Sequence, residues 1–378
     1  MSLTTSSSES RPSEKGAIDT PIPGKNKRPP GKDLDLPLKL QIASALAASG
    51  YYSRINVLLS ATGSRGLADV TDIDVLAIRY DLMFKRDVVA VSCKAGSART
   101  LSPAREVFYL RGVLDYVEAR EAVAAFLHKP VPPHLRDLGQ RLGVLMLSTN
   151  EIREWCHHLT NGILVPAYFQ ESAYGEYQSF WSKLGSNGLM EYLRTDYWFH
   201  FDFRNLQNVI VYLRKAAPRL TGDETWHAVI AWDVAAHLSL TIFDLCRQVR
   251  MLGLSAIADT TAAYLFGGTA SLKARRDLYG RVRQLLASTG VVGHDGPALP
   301  ALEPAYAAAL AELALRFIER PHSAVLIPVV IQDNLWRLLG AQGLEPRDDK
   351  VFLAAEKLTQ DLLDFMKTAT SAAWMPKI

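Results

Sequence analysis

The chain has 378 residues, 48% of them hydrophobic and 21% charged, with a formal net charge of +3 at pH 7. These are ordinary proportions for a globular protein, and no apolar run reaches the roughly 18–20 residues of a transmembrane helix, so we expect no membrane span. The sequence pI of about 8.6 permits a nucleic-acid partner without requiring one. Three widely spaced cysteines and the absence of a signal-peptide pattern predict a cytoplasmic protein without a zinc site or disulfides.

The N-terminal segment 1–33 is rich in Ser, Pro, Lys and Gly and has few large apolar residues. Such a segment buries too little surface to offset the entropy of ordering, so it is predicted to be a disordered tail. From Leu36 onwards, apolar residues recur at helical spacing as far as Gly50. Three β-type runs follow, which predict strands over Ile55–Leu59, Asp72–Tyr80 and Val88–Lys94.

After the loop 95–102, Pro103 suits the first turn of a helix predicted over about 104–127, and the run 142–147 predicts one more buried strand. Three consecutive strands before a crossover helix predict a mixed sheet flanked by helices. Beyond residue 150 the patterns are helical. We therefore predict a tail at 1–33, an α/β domain at 34–149 and an all-α domain at 150–378. Its clearest helical patterns cover 187–217, 223–252, 270–288, 302–320 and 350–369.

Polar side chains interrupt the two central strands of the predicted sheet. Asp72 and Asp74 share one face of their strand, and Ser92 and Lys94 share one face of the next, because side chains two apart point the same way. A lysine at the end of an apolar strand costs free energy unless it meets a carboxylate or a phosphate. We therefore expect Asp74 and Lys94 to lie on adjacent strands with their side chains on the same face. Taken singly, each residue also fits a turn or a solvated strand end.

These residues resemble the PD-(D/E)XK, restriction-endonuclease-like nuclease superfamily, whose core has the order α-β-β-β-α-β. The second-strand acid of the family corresponds to Asp74 in TDIDVLAI, and its third-strand motif corresponds to Ser92-Cys93-Lys94 in VAVSCKAG. Gln41 lies where family members often carry an acid or glutamine on the first helix. The resemblance covers residues 36–149. It rests on the order of the predicted helices and strands together with the positions of these short motifs on them.

The resemblance implies a metal-dependent nuclease that cleaves DNA, in restriction, repair or defence. It implies Mg²⁺ (or Mn²⁺) held by Asp74, Asp72 and the carbonyl of Cys93, with Asp74, Lys94, Ser92 and Gln41 as the catalytic set and Lys94 orienting the attacking water. Ser92 departs from the pattern, because the family has Asp or Glu there and a neutral hydroxyl is a poor Mg²⁺ ligand. Two outcomes stay open. Another acid (Asp72, Asp69 or Glu106) takes the role, or the fold is an inactive nuclease that binds DNA or a partner protein through its helical domain.

Basic residues predict where nucleic acid would bind. Arg99 and Arg105 follow the third-strand motif, and Lys273, Arg275, Arg276 and Arg283 form a basic stripe on the helix predicted over 270–288. Each group also fits an ordinary solvated surface. DNA is the expected partner, and a homo-oligomer or membership of a larger complex stays possible, as does a scaffold role without nucleic acid.

Overall fold

A computed structural model gives the fold, and from Leu34 to Ile378 the chain forms one compact unit. The predicted tail lies outside the described residues except for Asp33. Within 60–70 the backbone alone is described. The described residues are 33–63, 66–96, 102–160, 169–185, 188–199, 202–253, 256–288, 301–341 and 349–378.

In the described part of the chain, five strands form one sheet in the order β1-β2-β3-β4-β5. Strands β1 (Tyr52–Gly63) and β2 (Gly66–Tyr80) form an antiparallel hairpin, and β3 (Arg86–Lys94) pairs antiparallel with β2. Strands β4 (Glu121–Phe126) and β5 (Val144–Ser148) continue the sheet in parallel. The sheet is therefore mixed, as predicted, and it lies in the N-terminal half of the chain.

The helix predicted over 104–127 is wrong in its second half. Helix α2 runs from Pro103 to Tyr116, Glu118 adopts a positive φ of 52°, and the chain then enters β4. The segment EAVAAF looks helical because alanine favours helices, but it lies between two parallel neighbours, where strands are continuous apolar runs. Helix α3 (Pro133–Arg141) and β5 come afterwards, so β4 is the strand that completes the order helix, three strands, helix, strand.

Helix α1 (Leu36–Ala48) and the sheet belong to the same hydrophobic core as the helices that follow residue 150. The core continues from Ile42 and Val75 to Trp232 and Phe317 without interruption. A smaller cluster lies between α2 and strands β4 and β5. The boundary at 149/150 thus separates strand-containing from helical sequence, and one core spans both parts.

The helical part is built around α8 (Thr225–Leu252), which is the one helix among the described residues long and apolar enough to cross a membrane. Its most apolar stretch is entirely buried inside the protein, as in the core helix of a soluble protein. The single helix predicted over 187–217 is wrong, because Gly188, a 3-10 turn at Asp196–Phe199 and Asp202 divide it. The other helical elements are α4 Thr149–Leu159, α5 Glu171–Leu184, α6 Leu189–Arg194, α7 Phe203–Ala216, a 3-10 turn Ala217–Arg219, α9 Ile257–Leu265, α10 Thr269–Ser288, α11 Ala307–Glu319, α12 Pro321–Ala324, α13 Ile327–Leu338 and α14 Lys350–Thr370.

Candidate active site

Strands β2 and β3 separate at the point where the predicted site residues begin. Their ladder ends at the pair Val75–Val91, although β3 continues to Lys94. The carbonyl of Lys94 accepts a hydrogen bond from the backbone N–H of Leu127, on the β4 side. Because backbone groups of successive strand residues point to opposite sides, the N–H and carbonyl of Cys93 point towards β2. There the N–H of Cys93 donates to Oδ2 of Asp74 at 2.7 Å. The Asp74 carboxylate therefore takes the place of a missing ladder hydrogen bond inside the fork.

Two lysines neutralise Asp74, which is only 6% exposed. Lys94 Nζ lies 3.1 Å from Oδ2, and Lys39 Nζ from α1 lies 2.9 Å from Oδ1. The expected approach of Asp74 and Lys94 on adjacent strands is confirmed. Burial alone would raise the pKa of Asp74, but Lys94, Lys39 and the Cys93 amide outweigh it, and the pKa lies below its usual value. Burial lowers the pKa of Lys94, but the nearby Asp74 and Glu106 raise it by more, so the pKa lies above its usual value and the amine is protonated.

Glu106 brings a second carboxylate to the fork. The hydroxyl of Ser92 lies 2.5 Å from Glu106 Oε1 and 3.3 Å from Asp74 Oδ2, and Lys94 Nζ lies 3.8 Å from Glu106 Oε1. A hydroxyl has one proton and cannot donate to both acids at once. The Lys94 ammonium is the cation that holds the two carboxylates together. We call Lys39, Asp74, Ser92, Lys94 and Glu106 the Asp74 centre.

The start of α2 positions Glu106. Ser102 caps the helix by accepting from the amide of Arg105 at 3.4 Å, and Pro103 occupies the first turn. An acid in the first turn is also favoured by the helix dipole. Tyr109, three residues on and on the same helix face, donates its hydroxyl to the carbonyl of Asp72 at 2.6 Å. This bond fastens α2 to β2, and the Glu106 side chain stays directed into the fork.

Lys39 takes the place in the site that the sequence assigned to Gln41. Gln41 is exposed on α1, whereas Lys39 is buried and also donates to Oδ1 of Asn56 at 2.8 Å. Sequence reasoning missed Lys39, although it is the one charged residue in the otherwise neutral segment LPLKLQIASALAA. A single lysine inside an apolar helix indicates a buried acid partner, and that signal was available.

The remaining predicted residues are divided between the site and its surroundings. The Asp72 side chain is exposed, and the structure joins only its carbonyl to the site, through Tyr109. Cys93 is fully buried, and it meets the fork through its backbone N–H, which donates to Asp74. Arg105 is exposed at the start of α2. The Asp69 side chain and the whole of Arg99 lie outside the described residues.

The donor atoms of the Asp74 centre suit Mg²⁺ or Mn²⁺. The carboxylates of Asp74 and Glu106 are hard oxygen donors, and Mg²⁺ commonly takes one or two carboxylates with water and phosphate. Among the described residues no group of three or more His, Cys, Asp or Glu side chains could hold a metal ion. An open site completed by water and phosphate fits the two carboxylates that the described residues bring together.

The predicted basic stripe lies on α10, which is exposed along nearly its whole length and buries Leu272 alone of its described residues. Arg276 pairs with Glu303 at 2.8 Å, and Arg275 lies over the Phe266 ring at 5.3 Å, so both have partners within the chain. Lys273 and Arg283 are exposed. The helix also exposes three apolar side chains at helical spacing, Leu278, Val282 and Leu285.

Comparisons of the chain with models of protein families, with curated proteins and with solved structures gave no match. The function is therefore inferred from the Asp74 centre and its surroundings. That centre combines two acids, two lysines and a hydroxyl around one fork in the sheet.

Proposed function

We propose that the chain is a metal-dependent nuclease of the PD-(D/E)XK type that cleaves DNA phosphodiester bonds, with Glu106 as the acid missing at Ser92. The observation that carries the proposal is the meeting of Asp74, Glu106 and Lys94 around the Ser92 hydroxyl. Of the three acids that could replace the third-strand carboxylate, Glu106 is the one whose described side chain reaches the fork. The acid then comes from the crossover helix, one layer away from the usual strand position.

The arrangement of elements supports the family assignment. The order from α1 to β4 is helix, three strands, helix, strand, with Asp74 on the second strand and Lys94 at the end of the third. Both lie where β2 and β3 diverge, and a diverging pair of strands leaves polar side chains accessible beside an otherwise apolar sheet. Helix α3 and strand β5 extend this core by one parallel strand.

In this proposal Asp74 and Glu106, with the Cys93 carbonyl as the family resemblance implies, would hold the ion, which would supply positive charge at the phosphate and lower the pKa of the attacking water. Lys94 donates to that water and to the negative charge that develops on the phosphate, a role that needs the protonated amine indicated by its raised pKa. Lys39 is a positioning residue, because it holds Oδ1 of Asp74 and leaves Oδ2 facing Lys94 and Ser92. Ser92 orients the two acids.

A cleavage assay tests the proposal. Purified protein is incubated with single-stranded, duplex and branched DNA and with RNA, in Mg²⁺ or Mn²⁺, because the site does not fix the form of the substrate. We expect metal-dependent cleavage that falls at least about 100-fold in Asp74→Asn, Lys94→Ala and Glu106→Gln. Asp115→Asn, an exposed acid further along α2, is the matched control and should cleave as wild type does.

Two results would contradict the proposal. Absence of cleavage of every substrate with either metal would contradict the proposal that the protein is a nuclease. Full cleavage by Glu106→Gln would keep a nuclease but deny Glu106 its role. Circular dichroism and thermal melting of each variant show whether a loss of activity comes from unfolding.

A second candidate function is an inactive nuclease fold that binds DNA or a partner protein through α10. It is favoured by the exposure of α10, whose basic and apolar side chains lie on a surface that the described part of the chain leaves uncovered. Lysines on both sides of Asp74 would keep such a fork stable without a metal ion.

Salt dependence distinguishes DNA binding by α10 from the alternatives. Each phosphate that a basic side chain neutralises releases counterions, so affinity for duplex DNA should fall steeply with salt. Replacing Lys273 and Arg283 by alanine should reduce the slope of log K against log salt by about one for each of the two side chains that neutralises a phosphate. An unchanged slope would mean that DNA binds away from α10. No DNA binding at any salt concentration would favour a protein partner that contacts the apolar side chains of α10.

We also propose a reducing, cytoplasmic location. All three cysteines are free and buried. Burial raises the pKa of the Cys93 thiol well above its usual value, which keeps that thiol unreactive beside the fork.

A further inference from the structure

A cavity of about 240 Å³ lies between β1 and helices α5 and α6, separate from the Asp74 centre. Its walls are aromatic, with Tyr174, Tyr177 and Trp181 from three successive positions along one face of α5. Pockets for drug-sized ligands occupy about 300–1,000 Å³, so this one suits a single flat ring system.

The aromatic walls are held rigidly from behind by Asp233 of α8. Tyr177 donates its hydroxyl to Asp233 Oδ2 at 2.5 Å, and Trp181 donates its indole N–H to the same oxygen at 3.1 Å. The polar edges of both rings are thus occupied inside the protein. The Tyr174 and Tyr177 rings lie nearly parallel, with their centroids 6.2 Å apart, so the wall of the cavity already contains an ordered aromatic stack. Such fixed aromatic surfaces suit stacking.

Polar groups at the rim can read the edge of a flat ligand. The rim carries the amides of Asn56 and Gln178, which also bond Lys39 and Tyr174 respectively, and the exposed Arg194 adds a positive charge. Arg54 gives its Nη1 to both oxygens of Asp233, at 2.6 and 2.8 Å. Arg54 also lines the cavity, and its guanidinium carbon lies 5.4 Å from the centre of the Tyr177 ring.

Asn56 connects the cavity to the Asp74 centre. Its Oδ1 accepts from Lys39 Nζ at 2.8 Å, and the same ammonium lies 2.9 Å from Asp74. Asn56 stands on β1 between the pairs Ile55–Val75 and Val57–Ile73, directly across from Asp74, with a φ of 55° that asparagine tolerates better than most residues. One asparagine and one lysine therefore separate the cavity from the proposed catalytic carboxylate.

We propose that this cavity binds one unpaired nucleobase of the strand whose phosphate lies at the Asp74 centre. Unpaired bases are recognised by stacking on aromatic side chains and by hydrogen bonds to their edges, and the cavity offers both within one ring-sized volume. Asn56 lines the cavity and contacts Lys39 of the Asp74 centre, so a strand that leaves the fork towards the cavity would pass Asn56. The inference rests on the proposed nuclease function and adds a preference for substrates with an unpaired nucleotide beside the cleaved bond.

Photocrosslinking tests the cavity without requiring catalysis. Single-stranded oligonucleotides carrying 5-iododeoxyuridine at successive positions are irradiated with the protein in EDTA, and crosslinks are mapped by mass spectrometry. We expect crosslinks in the α5 segment that contains Tyr174, Tyr177 and Trp181. The yield should fall about fivefold or more in the double variant Gln178→Ala/Arg194→Ala, and should be unchanged in Arg153→Ala, an exposed arginine on α4. Crosslinks only at other segments, or an unchanged yield in the double variant, would overturn the proposal.

Two further arms separate this proposal from its alternatives. If 5-iododeoxyuridine monophosphate crosslinks α5 as efficiently as the strand does, the ligand is a free nucleotide and the strand assignment is wrong. Metal-dependent cleavage without α5 crosslinks would refute the cavity while leaving the nuclease intact. Crosslinks at α5 without cleavage would refute the nuclease while supporting a nucleobase as the ligand.

Discussion

Two buried carboxylates, Asp74 in the sheet and Asp233 in α8, have opposite surroundings. Asp233 receives two hydrogen bonds from Arg54 and one each from Tyr52, Tyr177 and Trp181. Burial alone would raise its pKa, but these partners lower it below the usual value, so one acid faces one arginine with its lone pairs occupied. This is a closed arrangement that joins β1, α5 and α8.

The Asp74 centre is open by comparison. It contains a second acid, and the Ser92 hydroxyl beside the two acids can donate its proton to only one of them at a time. The side chains of Lys94 and Glu106 remain 25% and 15% exposed. A cation or a phosphate would add to these interactions, whereas both oxygens of Asp233 already accept hydrogen bonds from two donors or more. Both acids are buried, so burial alone does not distinguish a candidate active site. What distinguishes the Asp74 centre is that its charged groups are incompletely paired.

The comparison predicts that Asp233 matters most for stability. Asp233→Ala leaves the Arg54 guanidinium buried without its counterion, and an arginine cannot lose its proton to relieve the cost. We expect the free energy of unfolding to fall by about 3–5 kcal/mol, measured by urea denaturation.

Asp74→Ala is the matched variant for that measurement. It leaves Lys39, which can lose its proton and still has Asn56 as a partner, and Lys94, which is partly exposed. The loss of stability should therefore be clearly smaller than for Asp233→Ala. Equal losses would mean that the Asp74 centre is as structural as the Asp233 cluster.

A third buried acid, Asp244 on α8, sharpens the comparison through pH. Burial raises its pKa from 3.8 to about 7, and Arg86, Arg247 and a hydrogen bond from Tyr80 offset that only in part. The folded state then binds the proton more tightly than the unfolded state, so this contribution to stability is present below about pH 4 and is lost as pH rises towards 7. Each unit of pKa difference corresponds to about 1.4 kcal/mol.

The variant Asp244→Asn isolates this effect. Its free energy of unfolding relative to wild type should increase between pH 5 and 7 and stay level above pH 7. A difference that does not change with pH would show that Asp244 ionises normally in the folded protein.

Moving the acid between α2 and β3 produces the smallest expected effect. Ser92 is only 2% exposed, so Ser92→Glu in the presence of Glu106 should crowd the fork and lower cleavage about 10-fold. The double variant Ser92→Glu/Glu106→Ser moves the acid to the β3 position that the resemblance to PD-(D/E)XK nucleases implies, and it should cleave better than Glu106→Ser alone. A double variant no better than Glu106→Ser would show that the two positions are not equivalent.

The site's register followed from the sequence because strand alternation is a strict geometric rule. Asp74 and Lys94 were placed together by the spacing D-x-D and S-x-K on two apolar strands, and their approach is observed. Strand β4 was missed because its alanines fit a helix as well as a strand, and only the neighbours β3 and β5 decide between them.

The partners of these residues depended on distant parts of the chain. The sequence pointed to Gln41 because of its position on the first helix. In the structure the long side chain of the buried Lys39 reaches Asp74 instead. Arg54 and Asp233 are 179 residues apart, and no local pattern links a strand arginine to an aspartate inside an apolar helix. The preference for Glu106 over other acids likewise required the observed end of the β2–β3 ladder.

Binding of Mn²⁺ tests most directly the claim that Asp74 and Glu106 form one metal site. Electron paramagnetic resonance reports free Mn²⁺ in titrations with and without phosphorothioate DNA. We predict one bound ion in wild type and in the control Asp115→Asn, binding at least about 10-fold weaker in Glu106→Gln, and no specific binding in Asp74→Asn. Unchanged Mn²⁺ affinity in Glu106→Gln, or no binding by wild type even with DNA, would contradict the account.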